Sequence, residues 1–338
     1  MKRTYFLMFN FIITAGVYAQ TAVLLQHAGA SSPYYGTNGF RDAYTASIHG
    51  DTILLPGGFF APPDNIDKRI AIIGTGHNPD STAATLGTVI TSGIGFGDNA
   101  DSCLLMGMLI KGNVSISYNA QANYLTLSRL YIEGGISTNG DGNYFAVGCI
   151  IRECVIIGSI TGYALDRCNI VNNILHGGIY SPKGGMISNN VFLGGDPVGE
   201  SSRPLNGVRD CIIRNNVFYK SVYDWINCVN NQFQRNIFKN EPAAAGNMYS
   251  NNYINVNTIT LFVNYSGGPF TYAANFHLDS PNDYPGTDAT QVGLYGSSWP
   301  WKEGSVPVTP HIQTKSIAEQ TSANGTIQVQ VKVAAQNQ

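Results

Sequence analysis

Ile187-Ser188-Asn189-Asn190-Val191-Phe192 is answered 26 residues later by Ile213-Arg214-Asn215-Asn216-Val217-Phe218. The order is an apolar residue, two mostly polar ones, a small or amide residue, then an apolar pair. It occurs six times between Gly148 and Val256. The other copies are Ile151-Arg152-Glu153-Cys154-Val155-Ile156, Ile170-Val171-Asn172-Asn173-Ile174-Leu175, Phe233-Gln234-Arg235-Asn236-Ile237-Phe238 and Tyr249-Ser250-Asn251-Asn252-Tyr253-Ile254. With the fourth residue as register mark, the steps from Cys154 to Asn252 are 19, 17, 26, 20 and 16 residues. A period of about 20 residues belongs to solenoids. Leucine-rich repeats are a poor match, because the phrases hold few leucines and many Ile, Val, Phe and Asn. β-branched and aromatic side chains fit a pleated, half-buried surface, and Gly and Asn fit the left-handed backbone of tight bends. The expected architecture is therefore all-β, a parallel β-helix.

Two inward files follow. The first residue of each phrase (Ile151, Ile170, Ile187, Ile213, Phe233, Tyr249) and the sixth (Ile156, Leu175, Phe192, Phe218, Phe238, Ile254) are expected to face the core. Coils stacked about 4.8 Å apart place like above like. Asn173, Asn190, Asn216, Asn236 and Asn252 are expected to form a structural ladder of side-chain amides at a bend.

Around the repeat, Gly50-Asp51-Thr52-Ile53-Leu54-Leu55-Pro56-Gly57-Gly58 and Ile70-Ala71-Ile72-Ile73-Gly74-Thr75-Gly76 resemble the opening of right-handed parallel β-helix proteins of the pectin-lyase-like superfamily. The Asn-Asn-x-Phe coils are similar to that superfamily's repeats, and the resemblance spans roughly Phe40 to Val256. It implies a right-handed coil and carries no particular chemistry. Gln291-Val292-Gly293-Leu294-Tyr295-Gly296, Trp301-Lys302-Glu303-Gly304 and the closing strand look like the tails of exported Bacteroidetes β-helix proteins.

Met1-Lys2-Arg3, a short apolar run and Val17-Tyr18-Ala19-Gln20 read as a secretory signal peptide over residues 1–19, cut after Ala19. No second candidate span remains after removal, so an exported location is expected: extracellular, cell-surface or periplasmic. Residues 20–49 form an N-terminal cap with an amphipathic helix over Phe40–Ile48. The β-helix proper covers 50–257. An aromatic-rich irregular segment, 258–305, reads as a lid over the last coil. In 306–338, two strands flank Asn324-Gly325, a strong turn signal, so the tail is read as a β-hairpin laid along the solenoid.

Net charge is −2 and only 12% of the residues are charged, against about 25% in ordinary soluble proteins. With no basic cluster, nucleic acid is not an expected partner. Six cysteines in an exported chain permit disulfides, but most fall at apolar coil slots, which favours buried thiols.

Catalytic signals are weak. Pectate lyases of the resembled superfamily use an arginine base and carboxylate-bound Ca²⁺. Their Arg-x-Pro-x-x-Arg signature is missing, and Arg203-Pro204-Leu205-Asn206-Gly207-Val208-Arg209-Asp210 has the ingredients at the wrong spacing. Arg203, Arg209, Arg214 and Lys220 are the candidate basic residues, expected along one face. Asp141, Asp196 and Asp210 are the candidate cation ligands, with Asp98 and Asp101 beside them. Calcium is the one cofactor left open. The Asp-Asp pair of polygalacturonase-type hydrolases does not occur, and His176-Gly177 reads as structural. Tyr295, Trp299 and Trp301 are candidate sugar-stacking residues. The reading preferred is a non-catalytic carbohydrate-binding or structural module. A divergent polysaccharide lyase acting on a uronate polymer and an adhesin-like envelope component stand as alternatives.

Overall fold

The computed structural model describes residues 21–117, 120–138, 146–162, 165–194, 203–220, 227–240 and 245–335. The leader at 1–19 and the candidates Asp141 and Asp196 lie outside them. The described chain winds as a parallel β-helix. One coil shows the cross-section. Ile150–Arg152 and Val155–Ile156 form the main face, Ile160–Gly162 the second, and Leu165–Asp166 the third. Each strand pairs in parallel with its counterpart in a neighbouring coil.

The pairing register makes three inward files. The first runs Ile53, Ile72, Leu105, Leu127, Ile151, Ile170, Ile187, Ile213, Phe233, Tyr249. The second runs Phe60, Ile90, Ile110, Ile132, Ile156, Leu175, Phe192, Phe218, Phe238. The third, on the second face, runs Ile94, Val114, Ile136, Ile160, Ile179, Leu205. The phenylalanines stack flat: Phe192 lies 4.6 Å from Phe218, which lies 4.8 Å from Phe238. Burial of an aliphatic or aromatic side chain contributes about 1.5–3 kcal/mol, so these files supply most of the driving force. The last coil departs from expectation, because Tyr249 is 37% and Ile254 43% exposed: no further coil covers them.

From the coil of Leu104–Ile110 onward, the backbone turns through a left-handed residue midway along the main face of each coil. Gly107, Arg129, Glu153, Asn172, Asn189, Asn215, Arg235 and Asn251 all have φ between +51° and +70°. The next residue is the ladder slot. The Asn173 amide donates to Ile151 O (2.9 Å) and to Asn190 Oδ1 (3.0 Å), and that oxygen also accepts the Asn173 backbone N–H (2.9 Å). The same three bonds recur at Asn190, Asn216 and Asn236, ending on Asn252. In earlier coils Met108, Leu130 and Cys154 occupy this slot, all fully buried.

A second corner file answers the cysteine question. Cys103, Cys149, Cys168 and Cys211 stand at the slot that Asn231 and Asn247 take in later coils. All six cysteines are buried and none is in a disulfide. The thiol does the amide's work: Cys168 Sγ accepts Cys149 N–H (3.3 Å) and donates to Ala146 O (3.3 Å). One coil on from Cys211, Asn231 Oδ1 accepts the Cys211 N–H (3.0 Å) and its Nδ2 donates to Val208 O (2.8 Å).

The start is capped by more than a helix. Gly39–Ala46 is helical and buries Phe40 and Ala43. The stretch before it is a hairpin of Ala22–His27 and Ala30–Tyr35. Ala22–His27 also pairs antiparallel with Thr52–Leu54, closing the edge of the first coil.

Two expectations about the C-terminal third are corrected. The aromatic segment is not a lid over the last coil. It is a strap laid lengthwise on the outside of the main face. It starts where Thr258 Oγ1 donates to Tyr219 O (2.6 Å) and doubles back through the pair Phe262–Asn264 and Asn275–Leu278. The bend reaches the early coils, where Tyr272 Oη bonds His77 (3.0 Å). From Pro285, held by Tyr253 Oη (2.8 Å), it runs back to Val306, whose carbonyl accepts from Arg129 (2.7 Å). Val155, Ile174, Val191, Val217 and Ile237, the outward members of the apolar pairs, form a second core with Phe262, Phe276, Val292, Leu294 and Trp301 of the strap. The tail hairpin, His311–Ile317 with Val329–Ala334, does form. It does not lie along the solenoid: both strands are largely exposed, Val329 at 56%.

Candidate functional site

The left-handed file that shapes the coils also anchors the strap. Asn215 Oδ1 accepts from Thr287 N (2.9 Å), Asn189 Nδ2 donates to Gly293 O (3.1 Å), and Asn172 Nδ2 donates to Leu294 O (2.8 Å). Asn172 Oδ1 accepts from Ser297 Oγ (3.2 Å), and that hydroxyl oxygen accepts Trp299 N–H (3.1 Å). A buried asparagine in a rigid coil thus sets the position of a tryptophan on the strap's margin. Trp299 is 44% exposed, and the Arg152 guanidinium lies 5.2 Å from its ring centroid. That is a cation–π contact in the usual range.

Arg152 belongs to an outward file of the main sheet that continues through Val171, Ser188 and Arg214. Three coil steps separate the two arginines, about 14 Å at ordinary strand spacing. Val171 and Ser188 between them are short. Arg152 Nε and Arg214 Nε are both shielded from water and bonded to nothing. Neither arginine has a carboxylate partner among the described residues. A deeply buried ion pair, Arg129 with Glu153, sits nearby and is fully engaged, with Val306 as a further partner. The face therefore offers an aromatic plane and two unpaired cations along the solenoid axis.

The remaining candidates do not gather there. Arg203, Arg209 and Lys220 fall in the same lap of the coil as Arg214 but at other positions around it. Arg203 leads into Leu205–Asn206 on the second face, and Arg209 sits at the third-face corner, bridged to Lys183 and Val229. Lys220 follows Val217–Phe218 and packs against Gly194. The expectation that they line one face is corrected for this reason. Asp210 is exposed and accepts from Asn230 (3.2 Å). Asp98 and Asp101 accept backbone N–H groups of the next coil, from Gln121 (2.8 Å) and Asn123 (2.6 Å). Among the described residues no group of three or more His, Cys, Asp or Glu is placed to hold a metal ion. His176 Nε2 accepts Phe270 N–H (3.0 Å), a structural role.

Of the three aromatic candidates, only Trp299 presents its ring. Trp301 is 7% exposed within the strap core. Tyr295 is stacked on His277 at 3.6 Å and its hydroxyl donates to Glu303. Arg152 was not singled out from sequence. Its parity was readable, since it follows the inward Ile151 as Arg214 follows Ile213, but its meeting with Trp299, 147 residues on, was not.

No protein-family model, curated protein or solved structure matches the chain. Among the described residues no helix is long and apolar enough to cross a membrane.

Proposed function

We propose that the protein is an exported, non-catalytic carbohydrate-binding β-helix, related to the pectin-lyase-like proteins, that takes a glycan strand along the outer main face at Trp299. The observation that carries this reading is the half-exposed Trp299 ring on the strap's margin with the guanidinium of Arg152, from the parallel sheet, over it. An indole face stacks on the apolar C–H side of a pyranose ring, and buried polar groups elsewhere hold it in place. Two arginines without carboxylate partners favour an acidic glycan over a neutral one.

Binding to a panel of neutral and acidic polysaccharides, followed by calorimetry, tests it. Trp299→Ala is expected to weaken binding about tenfold, the loss of one stacking contact reinforced by a cation. Arg152→Ala is expected to weaken the acidic members selectively. Loss of neither would remove the reading. The alternative of a divergent lyase rests on Arg214, the one cation among the candidate bases that stands on this face. Unsaturated-product absorbance that disappears in Arg214→Ala would replace the binding module with an enzyme.

A further inference from the structure

A second opening lies away from Trp299, between the outer face of the first coils and the stem of the tail hairpin. It is a trough of about 770 Å³, within the range of small-molecule sites. One wall is rigid, made by Leu54, Pro56 and Ile73 of the first coils. The other is Ile312 with His311 and Lys315 of the hairpin. Most of the lining is apolar, and the polar remainder is chiefly threonine hydroxyls. Lys315 is the only lining residue that carries a full charge at neutral pH. No carboxylate partners Lys315 among the described residues. On the same strand, His311 Nδ1 is shielded from water and bonded to nothing.

We infer that this trough is a binding site for an amphipathic monoanion, an alkyl carboxylate whose chain lies against Leu54, Ile73 and Ile312 and whose head meets Lys315. Three features select that class. An apolar floor excludes a sugar, whose hydroxyls would lose water without gaining partners. One cation and no lining carboxylate set the sign of the head group. The Pro307-Val308-Thr309-Pro310 link holds the hairpin stem at a fixed stand-off, because proline restricts both itself and the residue before it. The trough is thereby kept open instead of collapsing onto the coils.

Calorimetry of the full chain with decanoate, decanol and decylammonium, each below its micellar concentration, tests the assignment. Decanoate is expected to bind saturably at one site and about tenfold tighter than decanol, the worth of one hydrogen bond to a charged group. Decylammonium is expected to bind more weakly than either. Lys315→Met is expected to erase the preference for decanoate while leaving decanol binding in place. Ile73→Asp is expected to abolish both. Val329→Ser, which alters the exposed hairpin stripe and not the trough, is expected to change nothing. Equal binding of the three probes, no saturable binding of decanoate, or loss in Val329→Ser with Ile73→Asp unaffected would each overturn the proposal.

Discussion

The inside of the solenoid and the strap outside it bury comparable kinds of side chain by different rules. Inside, each residue sits on its own counterpart from the coil below, so one good choice is repeated and small errors repeat with it. Outside, the strap meets the coils once. Val217 touches a segment about 75 residues away, and no periodicity announces the match. The first arrangement is nearest-neighbour and additive, as expected of a solenoid. The second is a single long-range closure that depends on a few anchors: Asn172, Asn189, Asn215 and Arg129.

The largest effect is expected from breaking the inside. Asn216→Leu leaves the Asn190 N–H and one amide hydrogen of Asn190 without partners in a dry core, and strips one of its donors from the Ile187 carbonyl. At about 1–3 kcal/mol for each orphan, a loss of about 5 kcal/mol is expected in denaturant unfolding. Next comes acid, which acts where strap meets coil. Tyr272 Oη donates to His77 O, so His77 Nδ1 must donate to Tyr272 and Nε2 is left bare and buried. Burial holds this imidazole down to about 3, from the usual 6.5. His176 is lowered too, by burial and then by Lys220, and its Nε2 must stay unprotonated to accept from Phe270. With folded values below the unfolded ones, the unfolded chain takes up protons first. Stability is therefore full above pH 6.5 and drains as pH falls toward 3. Thermal melts between pH 7 and 3.5 are expected to show this slope, and His77→Gln to flatten it.

A smaller effect separates the strap from the coil. Asn172→Ala removes the bonds to Leu294 O and Ser297 Oγ and is expected to cost about 1–2 kcal/mol. It should also weaken glycan binding by freeing Trp299, whereas Trp299→Ala weakens binding with little change in stability. Smallest of all is Cys168→Ser. A hydroxyl can accept the Cys149 N–H and donate to Ala146 O as the thiol does, so a change under about 1 kcal/mol is expected. A much larger loss would mean that the thiol packs as a hydrophobe and does not stand in for an amide.

The difference between the two regions also explains what could be read from sequence. Ile187, Asn190 and Phe192 announce themselves because Ile213, Asn216 and Phe218 repeat them. The early coils were harder, since Met108 and Leu130 fill the slot that asparagine marks later. The strap left one legible trace. In a strand of period two, an adjacent apolar pair such as Val191-Phe192 cannot put both residues inward, so the pair itself says that both faces are covered. The sixth residue of the phrase faces inward and the fifth outward, and the partner of the fifth is the strap. Which aromatic residues were structural was not readable, because Trp299 and Trp301 are two positions apart on an irregular segment, and only the packing separates an exposed ring from a buried one.

Amide hydrogen exchange on the full chain, followed by mass spectrometry at neutral pH, puts the stacked interior to the most direct test. Peptides spanning 170–175, 187–192 and 213–218 are expected to exchange only through global unfolding, those from the strap at 285–301 faster, and the Val329–Ala334 strand fastest of the three. Rapid exchange across 187–218, or a tail strand as protected as the asparagine ladder, would contradict the account.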